Sequence, residues 1–177
     1  MKLYLIGYRC TGKTTIGKAL SNRLNLGFTD TDRTLEKTLD CSINDFVKQN
    51  GWPAFRARER QTLLETGRLE SGIVSTGGGC VLDPENRLFM RKNGLCIWLI
   101  ASVQTILERL GLDPATIESR PSLTGMDPVS ETRAVLKERT ALYRKTAHYQ
   151  LLTDNYPVPW LVNRIAQIIQ PVTDKGV

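Results

Sequence analysis

The sequence is poor in the residues that metal-binding and secreted proteins use most. It has a single histidine, and its four cysteines, Cys10, Cys41, Cys80 and Cys96, lie far apart with no CxxC pair. This spacing argues against a zinc site and a disulfide scaffold, and it fits a reducing cytoplasm. No apolar run approaches the roughly 20 residues that a membrane-spanning helix needs, and Met1 leads into KLYLIG without a signal-peptide pattern. We therefore expect a cytoplasmic protein without a membrane partner.

Basic residues form no dense block, although the formal net charge is +6. The arginines are scattered through predicted helices and lack the aromatic interleaving of an RNA-binding sheet. The charge therefore favours a site for an anionic small molecule, and we expect no nucleic-acid partner. A chain of 177 residues with 41% hydrophobic content can bury one sizeable core. We expect one domain, residues 1–177, and a monomer.

Residues 7 to 14 read GYRCTGKT, which is the spacing of a phosphate-binding loop. In such a loop, successive backbone N–H groups surround phosphate oxygens, and the helix that follows points its positive end at them. Lys13 would reach the outer phosphates, and the Thr14 hydroxyl would bind magnesium. The predicted nucleotide-binding residues of this stretch are Cys10, Thr11, Gly12, Lys13, Thr14 and Thr15. The loop alone leaves the phosphoryl acceptor open: water, a protein or a small molecule.

Short apolar runs alternate with helical patterns along the chain. The predicted strands are KLYLI (2–6), GFTDTD, GIVST, LCIWLI (95–100) and YQLL. This alternation predicts an α/β fold of three layers, α/β/α, with a central and mostly five-stranded parallel sheet covered on both faces. Ligands of such sheets bind beyond the carboxyl ends of the strands. The loops GYRCTGKT, DTD and TGGG leave strands at that edge, so we expect them to converge.

Two aspartates follow the second predicted strand. Asp30 and Asp32 stand two residues apart at its end, so their side chains would leave the same face and suit magnesium and an acceptor hydroxyl. The alternative is that Asp32 merely caps a helix beginning at Arg33, and the pair alone does not separate the two interpretations. Many P-loop enzymes place a magnesium-shell aspartate after a strand like GIVST, which here ends in Thr76 and glycines. The missing acid favours DTD as its source.

Glycine and arginine residues in two loops admit both a functional and a structural interpretation. Gly77, Gly78 and Gly79 would let the backbone approach a ligand with its N–H groups as donors, and a tight turn is the alternative. Residues 111–127 are predicted to form a long irregular loop that acts as a lid. Arg120 within it could reach a transferring phosphoryl group when the lid closes, and a flexible surface arginine is the alternative.

Arginines on two predicted helices are ambiguous by spacing. Arg56 precedes Glu59 by three residues, and Arg139 stands beside Glu138 and five residues before Arg144. Such charge patterns are typical of a solvated face with weak salt bridges. On spacing alone, the surface interpretation is the better one for both arginines.

Taken together, the stretches GYRCTGKTT, FTDTD, GWPAFRARE, STGGG, RPSLTG and ERTALYRKTAHY resemble the shikimate kinase family. The motifs follow the family's order and spacing from the first strand to the strand near residue 152. The resemblance implies a P-loop fold of the nucleoside-monophosphate-kinase-like type, with a lid at about 111–127 and a substrate-binding helical region at about 33–66. It also implies that ATP, with Mg²⁺, phosphorylates the 3-hydroxyl of shikimate, giving shikimate 3-phosphate and ADP in aromatic amino acid biosynthesis.

The resemblance assigns roles on the nucleotide side of the site. Lys13 matches the loop lysine that contacts the outer phosphates, and Thr14 matches the magnesium-binding hydroxyl. Asp30 matches the aspartate that orders magnesium through water. Arg120 matches the lid arginine that touches ATP phosphates, and Arg109, with the stretch TDNYP, falls where the family holds adenine.

Roles on the acceptor side follow in the same way. Asp32 matches the aspartate that holds the reacting hydroxyl and acts as its base. Arg56 and Arg139 match the two arginines that clamp the substrate carboxylate, and Gly78 matches the middle glycine of a run, Gly77–Gly79, that donates backbone contacts. The catalytic residues implied are Lys13, Asp32 and Arg120.

One position departs from the family pattern, and two other functions compete with the implied one. The family usually has glycine where this chain has Cys10, and a Cβ there restricts positive φ. A kinase acting on gluconate or a nucleoside monophosphate is the first alternative, and a nucleotide-dependent switch without transfer activity is the second. The lack of an NKxD sequence to read guanine argues against a GTPase-like switch.

Overall fold

A five-stranded sheet forms the centre of the computed structural model, which describes residues 1–112 and 123–173. Its strands are β1 Lys2–Ile6, β2 Phe28–Asp30, β3 Gly72–Ser75, β4 Leu95–Ile100 and β5 Tyr149–Leu152. They lie in the order β2-β3-β1-β4-β5, and each neighbouring pair is parallel. Because all the strands point the same way, the loops that leave β1, β2 and β3 start at one edge of the sheet.

Helices connect the strands and cover the sheet. They are α1 Lys13–Leu24, α2 Thr31–Leu39, α3 Ile43–Glu65, α4 Pro84–Asn93, α5 Val103–Gly111, α6 Pro128–Thr146 and α7 Val158–Thr173, with short 3₁₀ turns at Thr66–Arg68 and Cys80–Leu82. Asp83 caps α4 and Ser102 caps α5, each by accepting a backbone N–H bond. Among the helices described, none has the length and apolar character that a membrane crossing requires.

Alternate residues of β1 enter two separate apolar cores. Leu3 and Leu5 are fully buried on one face of the sheet, against α1 and α7. Tyr4 and Ile6 are fully buried on the other face, against α3, α4 and α6. Each such side chain stabilises the fold by about 1.5–3 kcal/mol when it leaves water. The predicted three-layer α/β/α architecture is confirmed.

Helix α3 is broken in its first half. Gly51 has φ 78° and ψ 168°, which are not helical angles, and Pro53 follows two residues later. Gly51 adopts this positive φ without the clash that a Cβ would cause, and Pro53 then fits the start of the second segment. The break turns the chain, so that both segments face the same end of the sheet.

The range predicted as a lid is described only at its ends. Helix α5 extends through Gly111, and residues 113–122 lie outside the described residues. The chain is described again from Leu123, and Asp127 caps α6 by accepting bonds from the N–H groups of Val129 and Ser130, both at 3.0 Å.

Candidate active site

Two adjoining cavities open at the carboxyl ends of β1, β2 and β3. The first, here called the loop cavity, has a volume of about 550 Å³ and is lined mainly by the phosphate loop, Asp30 and Thr76. The second, here called the arginine cavity, has a volume of about 460 Å³ and includes Arg56, Arg139 and Gly77–Gly79 in its lining. Asp32 and Arg9 line both cavities. The predicted convergence of GYRCTGKT, DTD and TGGG is therefore present.

The phosphate loop is shaped to receive an anion. Gly12, at φ 93°, leads into α1, whose first turn contains no acidic residue. The positive end of the helix therefore points into the loop cavity without a competing carboxylate in that turn. Lys13 folds back on the loop, where its Nζ donates to the carbonyls of Gly7 at 2.9 Å and Tyr8 at 2.6 Å.

Cys10 adopts a left-handed backbone conformation, which its Cβ disfavours. Its φ is 60°, in the left-handed region, where a residue with a Cβ costs about 1–2 kcal/mol. Its carbonyl accepts a bond from Nη1 of Arg109 at 3.2 Å. The same guanidinium donates to the hydroxyl of Thr153 at 3.1 Å and to its carbonyl at 2.8 Å. Arg109 thus joins the phosphate loop to the TDNYP stretch.

The two aspartates of DTD occupy different positions from those predicted. Helix α2 begins at Thr31, because Asp30 is its cap and accepts bonds from the N–H groups of Asp32 at 3.2 Å and Arg33 at 3.3 Å. The alternative in which Asp32 caps a helix starting at Arg33 is wrong, and so is the argument that both side chains leave one strand face. Oδ2 of Asp30 also accepts the hydroxyl of Thr14 at 2.7 Å.

Asp32 lies in the first turn of α2 with only 7% of its surface exposed. It borders the glycine run closely: a Cβ at Gly77 would lie 2.6 Å from Oδ1 of Asp32 and 2.6 Å from Oε1 of Glu59. A Cβ at Gly79 would overlap the guanidinium of Arg56. Glycine at these positions lets the carboxylates and the arginine approach the backbone, and a Cβ at either would force these side-chain ends to shift.

The ambiguous arginines are not on a solvated face. Arg139 is 6% exposed, and its Nε has no hydrogen-bond partner among the described residues. Arg56 pairs with Glu59 at 2.7 Å, and Glu59 is 3% exposed. Burial raises the pKa of Glu59, although the charge of Arg56 opposes the shift. The surface interpretation is wrong for Arg139, whereas Arg56 is half-buried and its salt bridge reaches a buried carboxylate.

Aromatic rings hold Arg56 from one side. Its guanidinium carbon lies 5.2 Å from the ring centre of Trp52 and 5.1 Å from that of Phe55, within cation–π range. Both rings line the arginine cavity together with Ile43. The cavity therefore combines cationic donors with an apolar wall, which suits a small cyclic molecule carrying an anionic group.

Several residues that shape the site were not predicted. Arg9 lies in the quoted loop, where a basic residue at a variable position gives no signal of its own. Glu59 belongs to the FRARE stretch, whose spacing does not reveal burial. Tyr143 of α6 is fully buried and its hydroxyl donates to the carbonyl of Gly78 at 2.6 Å. Burial raises the pKa of Tyr143 far above its ordinary value, so the phenol keeps its proton.

Comparisons with known proteins agree with this geometry. The family model described as shikimate kinase matches residues 9–170. The chain belongs to the shikimate kinase family. Shikimate kinase 2 of Salmonella schwarzengrund is 43% identical over 98% of this chain and 94% of the relative. Shikimate kinase of Oleidesulfovibrio alaskensis is 44% identical over 84% of this chain and 86% of the relative.

Solved structures of the shikimate kinase family share the whole fold. The shikimate kinase of Acinetobacter baumannii, solved in complex with shikimate, has a TM-score of 0.90 and 31% identity, covering 99% of this chain and 95% of that one. A gluconokinase from Sinorhizobium meliloti has a TM-score of 0.58 at 14% identity, which shows a shared fold only. The predicted family and fold are confirmed.

Most of the predicted site residues of this shikimate kinase family member line the two cavities, whereas Thr11 and Arg109 are described but are not part of the lining. Those that line them are Cys10, Gly12, Lys13, Thr14, Thr15, Asp30, Asp32, Arg56, Gly77, Gly78, Gly79 and Arg139. Thr11 is buried within the loop and donates to the carbonyl of Tyr8 at 2.9 Å. Arg120, the predicted lid arginine, lies outside the described residues. The individual roles of these residues stay predictions.

Proposed function

We propose that this protein transfers the γ-phosphoryl group of ATP to the 3-hydroxyl of shikimate, giving shikimate 3-phosphate and ADP. Membership of the family and the shape of the arginine cavity support this proposal. The observation that carries it is the buried Arg139, whose Nε lacks a partner among the described residues although a buried cation needs one. A carboxylate between Arg139 and Arg56 would satisfy that need.

The acceptor would be held by charge and by shape. A guanidinium binds a carboxylate through parallel hydrogen bonds, each of which contributes roughly 1.5–3 kcal/mol. The rings of Trp52 and Phe55 would pack against the apolar part of the substrate ring. Held at both ends, the ring would present one hydroxyl to Asp32, which stands where the two cavities meet. Positioning of this kind supplies a large part of phosphoryl-transfer catalysis.

Asp32 would act as the base for that hydroxyl. The bond from the hydroxyl oxygen to the γ-phosphorus forms while the bond to the β–γ bridging oxygen breaks, and the hydroxyl proton passes to the Asp32 carboxylate. Lys13 would exchange its bonds to the Gly7 and Tyr8 carbonyls for phosphate oxygens. We also assign Arg120 to the transferring phosphate, on the strength of the family resemblance.

The residues present fit a magnesium ion bound with the nucleotide. Thr14 and Asp30 already meet at 2.7 Å in the loop cavity, a hydroxyl and a carboxylate of the type that Mg²⁺ prefers. Within the described chain no group of three or more His, Cys, Asp or Glu side chains could hold a metal ion, so phosphate and water oxygens would complete the shell. Mg²⁺ there supplies neutralisation of phosphate charge.

We place this activity in the cytoplasm and in a monomer, as a step towards aromatic amino acids. None of the four cysteines forms a disulfide, which fits a reducing compartment.

The acceptor assignment is tested by ADP release with ATP and Mg²⁺ and three candidate acceptors: shikimate, gluconate and a nucleoside monophosphate. We expect release with shikimate alone, with a matching shikimate 3-phosphate product by mass spectrometry. If ADP is released with gluconate or with the nucleoside monophosphate but not with shikimate, the assignment of shikimate as the acceptor is wrong. Nucleotide binding without release for any of them would favour the switch.

A further inference from the structure

The carboxylate of Glu131 joins two parts of the chain that are far apart in sequence. Glu131 lies in the first turn of α6 and is 6% exposed. Its Oε1 lies 3.4 Å from Nη2 of Arg9 in the phosphate loop. Its Oε2 accepts bonds from the backbone N–H groups of Leu123 at 2.8 Å and Thr124 at 3.2 Å, with the Thr124 hydroxyl at 3.4 Å. One buried carboxylate thus binds both segments.

The two segments border the cavities unequally. Arg9 lines the loop cavity and the arginine cavity, whereas Leu123 lines the arginine cavity. Behind them, Tyr8 of the phosphate loop is buried in a small core with Ile106, and Leu123 packs against that core. The wall of the arginine cavity at Leu123 is therefore held by the same carboxylate that holds the arginine at the border of the cavities.

Because they share one carboxylate, the position of Arg9 and the position of the backbone at Leu123 and Thr124 depend on each other. A buried carboxylate is stable only while its hydrogen-bond and charge partners stay in place. When nucleotide phosphates fix the loop and Arg9, the position of Glu131 becomes fixed, and the backbone at Leu123 and Thr124 is fixed with it. If Glu131 no longer bound Arg9, ordering of the phosphate loop by a nucleotide would no longer fix the backbone at Leu123 through this carboxylate.

We propose that Glu131 is a positioning residue that couples the two cavities, so that nucleotide bound in the loop cavity tightens the binding of shikimate in the arginine cavity. This inference rests on the proposed function, because it takes the two cavities as the nucleotide and shikimate sites. The coupling is reciprocal, so shikimate tightens nucleotide binding by the same factor.

The test compares shikimate affinity in the absence and presence of saturating ADP and Mg²⁺, measured by isothermal titration calorimetry. ADP allows no transfer, so binding is measured alone. In the parent protein we expect shikimate to bind at least about fivefold more tightly with ADP. In Glu131→Gln, one oxygen still accepts the backbone N–H groups, but no negative charge faces Arg9. We expect the ratio there to fall below about twofold.

The matched control is Asp127→Asn. Asp127 is the exposed cap of the same helix and lies four residues from Glu131, but its carboxylate accepts bonds from the N–H groups of Val129 and Ser130. A purely structural weakening of the start of α6 would lower the ratio in both variants. We expect the control to keep the parental ratio, and Glu131→Gln to raise the KM for shikimate at saturating ATP while kcat stays within a few fold.

Other outcomes separate the two proposals. A parental ratio of one, or a parental ratio retained in Glu131→Gln, would overturn the coupling. If circular dichroism shows that Glu131→Gln does not fold, Arg9→Gln replaces it and must also lose the ratio. A parent that binds ADP and shikimate cooperatively but phosphorylates no shikimate would contradict the proposed function and leave the coupling standing.

Discussion

The loop cavity and the arginine cavity meet at Asp32 and Arg9 but are built in different ways. Most of the loop cavity is lined by one continuous stretch, GYRCTGKTT, which offers backbone N–H groups and the positive end of a helix to an anion. The arginine cavity is assembled from side chains of α2, α3 and α6, from the backbone of Gly77–Gly79, and from Tyr8, Arg9 and Leu123. A short local motif is enough to define the first, whereas the second depends on the tertiary fold.

The two cavities also differ in how they treat charge. In the loop cavity Lys13 rests on carbonyl groups, and Asp30 is bonded to a threonine and to helix N–H groups. In the arginine cavity Glu59 and Arg139 are buried, and the half-buried Arg56 pairs with Glu59 at 2.7 Å. The polar groups for phosphate binding therefore already have hydrogen-bond partners, whereas the arginine cavity contains one buried donor, Nε of Arg139, that has none among the described residues.

The largest effect is expected at Asp32, where the cavities meet. Asp32→Asn keeps the size of the side chain but removes the base, so kcat should fall about 100- to 10,000-fold. Calorimetric affinities for ADP and shikimate should change only a few fold. The control is Asp40→Asn, at the exposed C-terminal end of the same helix. Activity of Asp32→Asn within tenfold of the parent would remove Asp32 from the base role.

Arg139→Ala should separate the cavities most clearly. Loss of a charged hydrogen-bonding partner should weaken shikimate binding about 10- to 100-fold, while ADP affinity stays nearly unchanged. Titration of each ligand alone measures both effects. Arg144→Ala, on the exposed part of the same helix, is the matched control and should change neither. An equal loss of both ligands in Arg139→Ala would contradict the carboxylate clamp.

A smaller effect is expected when the glycine loop loses its tether. Tyr143→Phe removes the bond to the Gly78 carbonyl and should raise the KM for shikimate about five- to tenfold, with little change in the KM for ATP. Tyr4→Phe is the control, since Tyr4 is equally buried and its hydroxyl bonds to Thr66 away from both cavities. If both variants lose similar stability but only Tyr143→Phe raises the KM for shikimate, the bond from Tyr143 to Gly78 positions the glycine loop. If the two variants have the same KM for shikimate, the bond has no such role.

The smallest change in binding is expected for a substitution at Glu59, which should mainly change the free energy of unfolding. Burial raises the pKa of Glu59, so the folded protein binds this proton more tightly than the unfolded chain. Its contribution to stability is fully present below the ordinary pKa of 4.5 and is lost as pH rises through the higher folded-state pKa.

Glu59→Gln mimics the protonated carboxyl and should therefore raise the unfolding free energy at pH 7, with a gain that disappears below about pH 4.5. Shikimate affinity should fall by less than about fivefold, since Arg56 keeps a neutral acceptor. Urea unfolding across this pH range measures the stability effect. Glu65→Gln, exposed on the same helix, is the control. A gain in unfolding free energy that does not vary with pH would show that ionisation of Glu59 does not destabilise the folded protein.

The sheet and the phosphate loop could be predicted because their signals are local. Apolar runs such as KLYLI and LCIWLI are β1 and β4, and the GxxxxGKT spacing fixes the loop by itself. The strand order β2-β3-β1-β4-β5 could not be read from the pattern, because pairing partners lie far apart in sequence.

The arginine cavity shows where local reasoning fails. Charge patterns favoured a solvated surface for Arg56 and Arg139, because the spacing of charged residues along a helix does not reveal which helix face is buried. Only the whole set of motifs, through the family resemblance, pointed to a carboxylate clamp. The DTD stretch shows a smaller failure: α2 begins at Thr31, two residues before the alternative start at Arg33, so Asp30 and not Asp32 is the cap.

The bend at Gly51 has a consequence for the arginine cavity. In an unbroken helix, Ile43 and Phe55 would stand roughly 18 Å apart along the axis, too far to touch one small molecule. The bend brings both to the wall of the arginine cavity. A backbone angle at Gly51, a residue that is not among the described lining of either cavity, thus contributes one side of the wall that surrounds the acceptor.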